Sequence, residues 1–134
     1  MKFISRHTDY AIRALIYMAK RHNQNKEGLV TVDDIVRDLN LPKKFTRRIL
    51  QKLAQAKILN SYKGKDGGFS FLVAPDKIRL PRILKIFQGE IDITNCLLKG
   101  KVCPNKKKCK LREKLKAINL LVVRELDKIT ITSL

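Results

Sequence analysis

Residues 42–75 read PKKFTRRILQKLAQAKILNSYKGKDGGFSFLVAP, and the order of patterns within them decides the fold. In the first half Phe45, Ile49, Leu53 and Ala56 recur at helical spacing, and Pro42 suits the first position of a helix, where its missing N–H costs nothing. Turning those four residues inward leaves Lys43, Lys44, Arg47, Arg48 and Gln51 on the opposite face. The second half changes period. Gly64, Gly67 and Gly68 allow positive φ, and Phe69, Phe71 and Val73 alternate with Ser70 and Leu72, which predicts strand, glycine-rich turn, strand. Immediately upstream, TVDDIVRDLN predicts a short helix ending near Asn40. Thr31 serves as its N-cap, Asp33 and Asp34 complement the dipole, and Val32, Ile35, Val36 and Leu39 repeat the helical spacing. Two short helices joined by a tight turn, the second basic on its outer face, describe a helix-turn-helix. A hairpin carrying Lys63 and Lys65 directly after them is a wing, which sets the preceding helix in a major groove and the hairpin beside the backbone or minor groove.

Working outward, TDYAIRALIYMAKRH predicts a first amphipathic helix, with Thr8 as N-cap and Ala11, Ala14, Leu15 and Met18 on its apolar face. Asn23 to Gly28 form a polar loop. Beyond the wing, LPRILKIFQG predicts a fourth helix with Pro81 near its start and Gly89 at its end. From Leu111, the residues Leu115, Ile118, Val122, Leu126 and Ile129 fall at helical spacing, with Leu120, Leu121 and Val123 widening the stripe. So broad an apolar surface suits either packing on its own domain or a partner, and the reading of palindromic DNA by dimers favours a second copy. The expected architecture is mainly α with a small β-hairpin wing. A winged helix-turn-helix domain spans 1–89, a cysteine-rich loop 90–110, and a dimerisation helix with its tail 111–134.

Composition agrees with an extended polyanion as partner. Thirty Lys and Arg face twelve Asp and Glu, for a formal charge of +18, and the basic residues run through the whole chain. The N-terminus lacks the apolar core and cleavage site of a secretory signal, and no apolar run approaches the ~20 residues of a membrane span, so a cytoplasmic location is expected. No phosphate-cradling glycine loop is present, and His7 and His22 have no nucleophile partner at motif spacing, which argues against an enzyme.

All three cysteines, Cys96, Cys103 and Cys109, stand in CLLKGKVCPNKKKC. An odd count in a reducing compartment argues against a disulfide framework. The C-x6-C-x5-C spacing is wider than the gap of about two to four residues typical of zinc hooks and suits a loop around an iron-sulfur cluster, with a fourth ligand from elsewhere. Three thiolates and a carboxylate on a 4Fe-4S core leave about −2 by formal count. Lys99, Lys101, Lys106, Lys107, Lys108 and Lys110 surround the cysteines, and such cations favour anionic ligands. Zinc with a His or Asp as fourth ligand, and metal-free redox thiols, remain open. From a different class, a small basic iron-sulfur carrier remains open too, although it has no use for a wing.

TDYAIRAL near the start, the KGKDGGF wing, the three cysteines and the closing helix followed by ITITSL together resemble the winged-helix iron-sulfur transcription regulators of the NsrR and IscR type, closer to the nitric oxide sensors. The likeness covers nearly the entire chain. It implies a homodimeric repressor in which long C-terminal helices cross at the interface and a 4Fe-4S rather than 2Fe-2S cluster is bound by Cys96, Cys103 and Cys109. It also implies a fourth ligand. NsrR-like members use an Asp in the first helix, which falls on Asp9 here and reaches the loop of the other subunit, with His7 as runner-up. IscR-like members use a His three residues after the last Cys, where this chain has Arg112, which cannot ligate. In the wing, Lys63 stands where such regulators often carry Arg and lacks the flat bidentate fork. Lys43, Lys44, Thr46 and Arg47 fall where base contacts are expected, Arg47 best suited to a guanine, while Arg48 and Lys65 suit phosphates.

Overall fold

Thr31 and Asp34 open the second helix by bonding reciprocally. The Asp34 N–H donates to the Thr31 hydroxyl at 3.1 Å, and the Thr31 N–H donates to the Asp34 carboxylate at 3.0 Å. In the computed structural model, which describes residues 3–24, 29–94 and 108–134, this capping box starts α2 (Val32–Leu39). Asn40 stops it in the left-handed conformation at φ 52°, which a short polar side chain tolerates. Before it lies α1 (Arg6–Asn23) and after it α3 (Lys43–Gln55).

Three local expectations change at these helices. The N-cap of α1 is Ser5, whose hydroxyl accepts the Thr8 N–H at 3.2 Å, and Thr8 is buried one turn inside with its own hydroxyl donated to Gln88. Pro42 is the N-cap of α3 rather than its first helical residue. The inward face of α3 is Thr46, Ile49, Leu50 and Leu53, so the helix is rotated from the Phe45, Ile49, Leu53, Ala56 stripe. Phe45 is 41% exposed and Ala56 only half-buried.

Past α3 the chain reverses through Lys57 at φ 61°, where the Ile58 N–H donates to Leu53 O and the Lys57 N–H to Ala54 O. It enters β1 (Leu59–Tyr62), which pairs antiparallel with β2 (Gly68–Phe71) in the register Leu59 opposite Phe71 and Tyr62 opposite Gly68. Val30 adds a short rung, exchanging hydrogen bonds with Phe69 at 2.9 and 2.8 Å. Of the wing glycines only Gly64 takes a positive φ, 104°. Gly67 and Gly68 serve close approach instead, since a Cβ on either would strike backbone of Tyr62 or Val30. Val73, expected in the strand alternation, lies beyond β2.

A 3₁₀ turn (Pro75–Lys77) leads to α4 (Leu80–Gln88), which Gly89 ends at φ 85°. The last helix, α5 (Lys110–Asp127), carries no fully buried residue. Its tail returns to the body. The Leu80 N–H donates to Ile129 O at 2.9 Å and the Ile131 N–H to Ile78 O at 3.0 Å, and Ile131 is buried in the same core as Leu15, Met18, Ile35, Leu53, Ile58 and Ile83. Burial of side chains this size contributes about 1.5–3 kcal/mol each, which holds α1, α3 and α4 as one body under the wing. No helix of the described residues is long and apolar enough to cross a membrane.

Candidate nucleic-acid interface and cysteine-bearing segment

The angle between α2 and the rest of the body is held by polar groups. The Tyr17 hydroxyl on α1 donates to the Asp38 carboxylate on α2, and Arg21 donates to the Tyr17 oxygen at 3.1 Å while pairing with Asp34 at 3.5 Å. Arg37 binds Asp38 at 2.9 Å and Asp34 at 3.3 Å. The backbone N–H of Thr31 holds the Asp34 carboxyl below its ordinary range, and the Arg37 hydrogen bond does the same for Asp38. The Tyr17 phenol is pushed up, first by desolvation and then by its bond to Asp38. Both carboxylates are therefore ionised at neutral pH, and α2 is clamped to α1.

On that support α3 presents Lys44, Arg47, Arg48 and Gln51 to solvent, and the hairpin tip presents Lys63 and Lys65. Among the described residues, these five cations make no ion pair. Lys43 is also exposed but pairs with Asp33 at 2.9 Å, bridging the two helices. Thr46 does not belong to this surface. It is 1% exposed and its hydroxyl donates to Pro42 O at 2.9 Å, so the expectation of a base contact there is corrected by burial. Phe45 flanks the basic face, with its ring centroid 5.6 Å from that of His7 on α1.

Cys96 and Cys103 lie outside the described residues. Cys109 is the half-buried N-cap of α5, a free thiol making no capping bond. Both described ends of the cysteine-bearing segment lie against α5. Asn119 donates to Ile91 O at 3.0 Å and accepts the Ile93 N–H at 3.1 Å, while Cys109 begins the helix itself. In sequence, Cys96 follows three residues after Ile93. The Nε of Arg112, one turn into α5, is buried and has no hydrogen-bond partner among the described residues. Asp9 is half-exposed on the first turn of α1 and pairs with Arg13 at 3.0 Å. No three His, Cys, Asp or Glu side chains converge as a metal site among the described residues. A free thiol at the positive end of a helix, with an unsatisfied N–H donor nearby, does fit an anionic thiolate-ligated centre.

Sequence reasoning missed the tie between the chain's start and α4. Gln88 Oε1 accepts from the Ser5 N–H at 2.9 Å and the Thr8 hydroxyl at 2.8 Å, and its Nε2 donates to Phe3 O at 2.8 Å. The partners are at least eighty residues apart, so no local pattern marks them. The tie fixes the turn bearing Asp9 to the end of α4, from which the chain runs toward the cysteines.

A helix-turn-helix with an exposed basic second helix and a basic hairpin behind it defines a winged-helix transcription regulator with a DNA-binding fold. The comparisons place it more closely. The family model Rrf2, described as "Iron-dependent Transcriptional regulator", matches residues 4–134, and the chain belongs to that family. An HTH-type protein of Aquifex aeolicus is 33% identical over 94 residues, 70% of this chain but only 62% of the relative's length. The HTH-type transcriptional regulator NsrR of Halalkalibacterium halodurans is 23% identical over 132 residues, covering 98% of this chain and 88% of that protein. The structure of CymR, the global cysteine regulator of B. subtilis, superposes with a TM-score of 0.77 at 26% identity, over 99% of this chain and 95% of that one.

Proposed function

We propose that this chain is a homodimeric repressor that binds a palindromic operator and is switched by an iron-sulfur cluster, 4Fe-4S rather than 2Fe-2S, held by Cys96, Cys103 and Cys109 of one subunit and Asp9 of the other. Residues 1–89 read DNA, 90–110 hold the cluster and 111–134 dimerise. The observation that carries the DNA half is the basic face of α3 beside the wing lysines, where Lys44, Arg47 and Arg48 make no ion pair among the described residues. Lys44, Arg47 and Gln51 face the base edges, with Arg47 bidentate to a guanine. Arg48 and Lys65 neutralise phosphates, Lys63 lies along the minor groove, and Lys43 contributes once it exchanges Asp33 for DNA.

When bound, such a cluster supplies iron that reacts with nitric oxide or oxygen and a charge that changes on reduction. The chain's own part is mechanical. Asp9 would hold iron more weakly than a thiolate, so it would be the ligand most readily lost. It stands on the turn of α1 that Gln88 fixes and that touches Phe45 of α3 through His7. Losing the Asp9 link would uncouple that body from the partner subunit's cysteine loop and alter the separation of two recognition helices that must match half-sites about one helical turn apart. The NsrR relatives favour nitric oxide as the signal.

The likeness to a cysteine regulator supports a second reading, in which the thiols respond without metal. Anaerobic purification with iron and inorganic sulfide analysis, followed by DNA-shift assays of loaded and stripped protein at one fixed salt concentration, separates them. Sulfide together with a loss of operator affinity on stripping is expected. Identical affinities end the switch, a sulfide-free zinc protein turns the segment into a structural metal loop, and a metal-free protein that responds to oxidants establishes the thiol reading.

A further inference from the structure

The first turn of α5 has the wrong charge for a helix start. Backbone N–H groups and the positive end of the dipole gather at Cys109, yet Lys110, Arg112 and Lys114 surround Glu113, and Cys109 offers no capping bond. Arg112 is the third helical residue, N3, the position from which a side chain reaches back to the N-cap. Its Nε–H is buried without an acceptor among the described residues. Asp92 is close enough for Arg112 to help lower its carboxyl pKa, but the hydrogen bonds of Asp92 go to Thr94. Among the described residues, therefore, nothing beside Cys109 supplies a buried acceptor for this donor, and a negatively charged one would suit the charge of the turn.

We propose that Arg112 supplies this acceptor's hydrogen bond. In the loaded protein its Nε–H donates to the Cys109 sulfur or an adjacent cluster sulfide, and so raises the cluster's reduction potential. The inference rests on the reading above that Cys109 is a cluster ligand. The direction follows from charge, since a donor and a positive group near the sulfurs stabilise the form that has gained an electron. Arg112 thus tunes the cluster without binding iron.

The test uses full-length protein loaded anaerobically with iron and sulfide, in wild type and the variants Arg112→Met and Arg112→Gln. Methionine removes charge and donor, while glutamine keeps a neutral donor. Reduction potentials and the Fe–S stretching frequencies in H2O and D2O are the readouts. For Arg112→Met, a shift of about tenfold in the reduction equilibrium, or about 59 mV for one electron, toward the oxidised form is expected, with loss of a deuterium-sensitive shift. Arg112→Gln should fall between Met and wild type. Equal potentials and unchanged deuterium shifts in all three overturn the role of Arg112 while leaving the cluster in place. Wild type that takes up no sulfide instead overturns the cluster reading. If the Met variant does not fold, Gln decides alone, and a potential equal to wild type ends the proposal.

Discussion

Thr46 and Arg47 are neighbours in sequence with opposite fates, and substitution separates them. Thr46 is buried with its hydroxyl on Pro42 O, so Thr46→Ala should cost about 1 kcal/mol of folding stability through the lost bond and leave base preference unchanged. Arg47 is exposed, so Arg47→Ala should leave the denaturation midpoint within about 0.5 kcal/mol of wild type. It should also cost ~1–3 kcal/mol of operator affinity and relax preference at one base pair. Urea unfolding and binding to a panel of single-base operator variants read both effects; equal losses on specific and random DNA would remove Arg47 from base readout. Lys57 tests the backbone alone. A side chain at φ 61° is strained by about 1–2 kcal/mol, while glycine's extra unfolded freedom returns about 0.5–1 kcal/mol. Lys57→Gly should therefore raise stability by roughly 0.5–1 kcal/mol, visible as a higher urea midpoint at unchanged slope.

Among elements, α2 depends most on charge, because Asp34 both completes its capping box and anchors Arg21 and Arg37. Its folded-state pKa is depressed, so its contribution is fully present above the ordinary carboxylate value and is lost as pH falls through the depressed one. Wild type should lose stability on acidification below about pH 4, and Asp34→Asn should flatten that part of the curve while lowering stability at neutral pH. An unchanged acid limb would show the box to be energetically idle. The same helices show what a sequence discloses. Thr31 announced its cap because capping is local, although the reciprocal bond from Asp34 was read only as a favourable first-turn charge, and the wing was legible because the change from helical to alternating spacing happens within a few residues. The face of α3 was turned because Phe45 continues the i, i+4 apolar series of Ile49 and Leu53, while Thr46 looks polar. Only the local bond to Pro42 O makes its burial tolerable. The cap of α1 went to Ser5 because Gln88, eighty residues away, takes the Thr8 hydroxyl. At the candidate site the basic face could be read from residue types, whereas the unsatisfied Arg112 Nε depends on burial, which spacing does not encode.

For the whole molecule, charge and assembly meet in the salt dependence of DNA binding. On α5, Leu120 and Leu121 are 67% and 58% exposed, Ile118 nearby and Leu111 at the helix start are exposed too, and moving each leucine into an interface contributes about 1.5–3 kcal/mol. The double variant Leu120→Glu, Leu121→Glu should therefore sediment as a monomer at concentrations where wild type is a dimer, with folding intact because neither residue joins the core. Log affinity falls with log salt at a slope of about −0.9 per neutralised phosphate. A dimer engages two equivalent sets of lysines and arginines and a monomer only one. The double variant should show about half the wild-type slope as well as weaker binding, and Lys65→Ala in the dimer should reduce the slope by about 1 per protomer across all sequences. A misfolded variant would lose binding without this halving, so the slope separates loss of assembly from loss of fold. A monomeric variant that kept the full slope would show that one protomer supplies every phosphate contact, and the two-protomer docking on a palindromic site would fall with it.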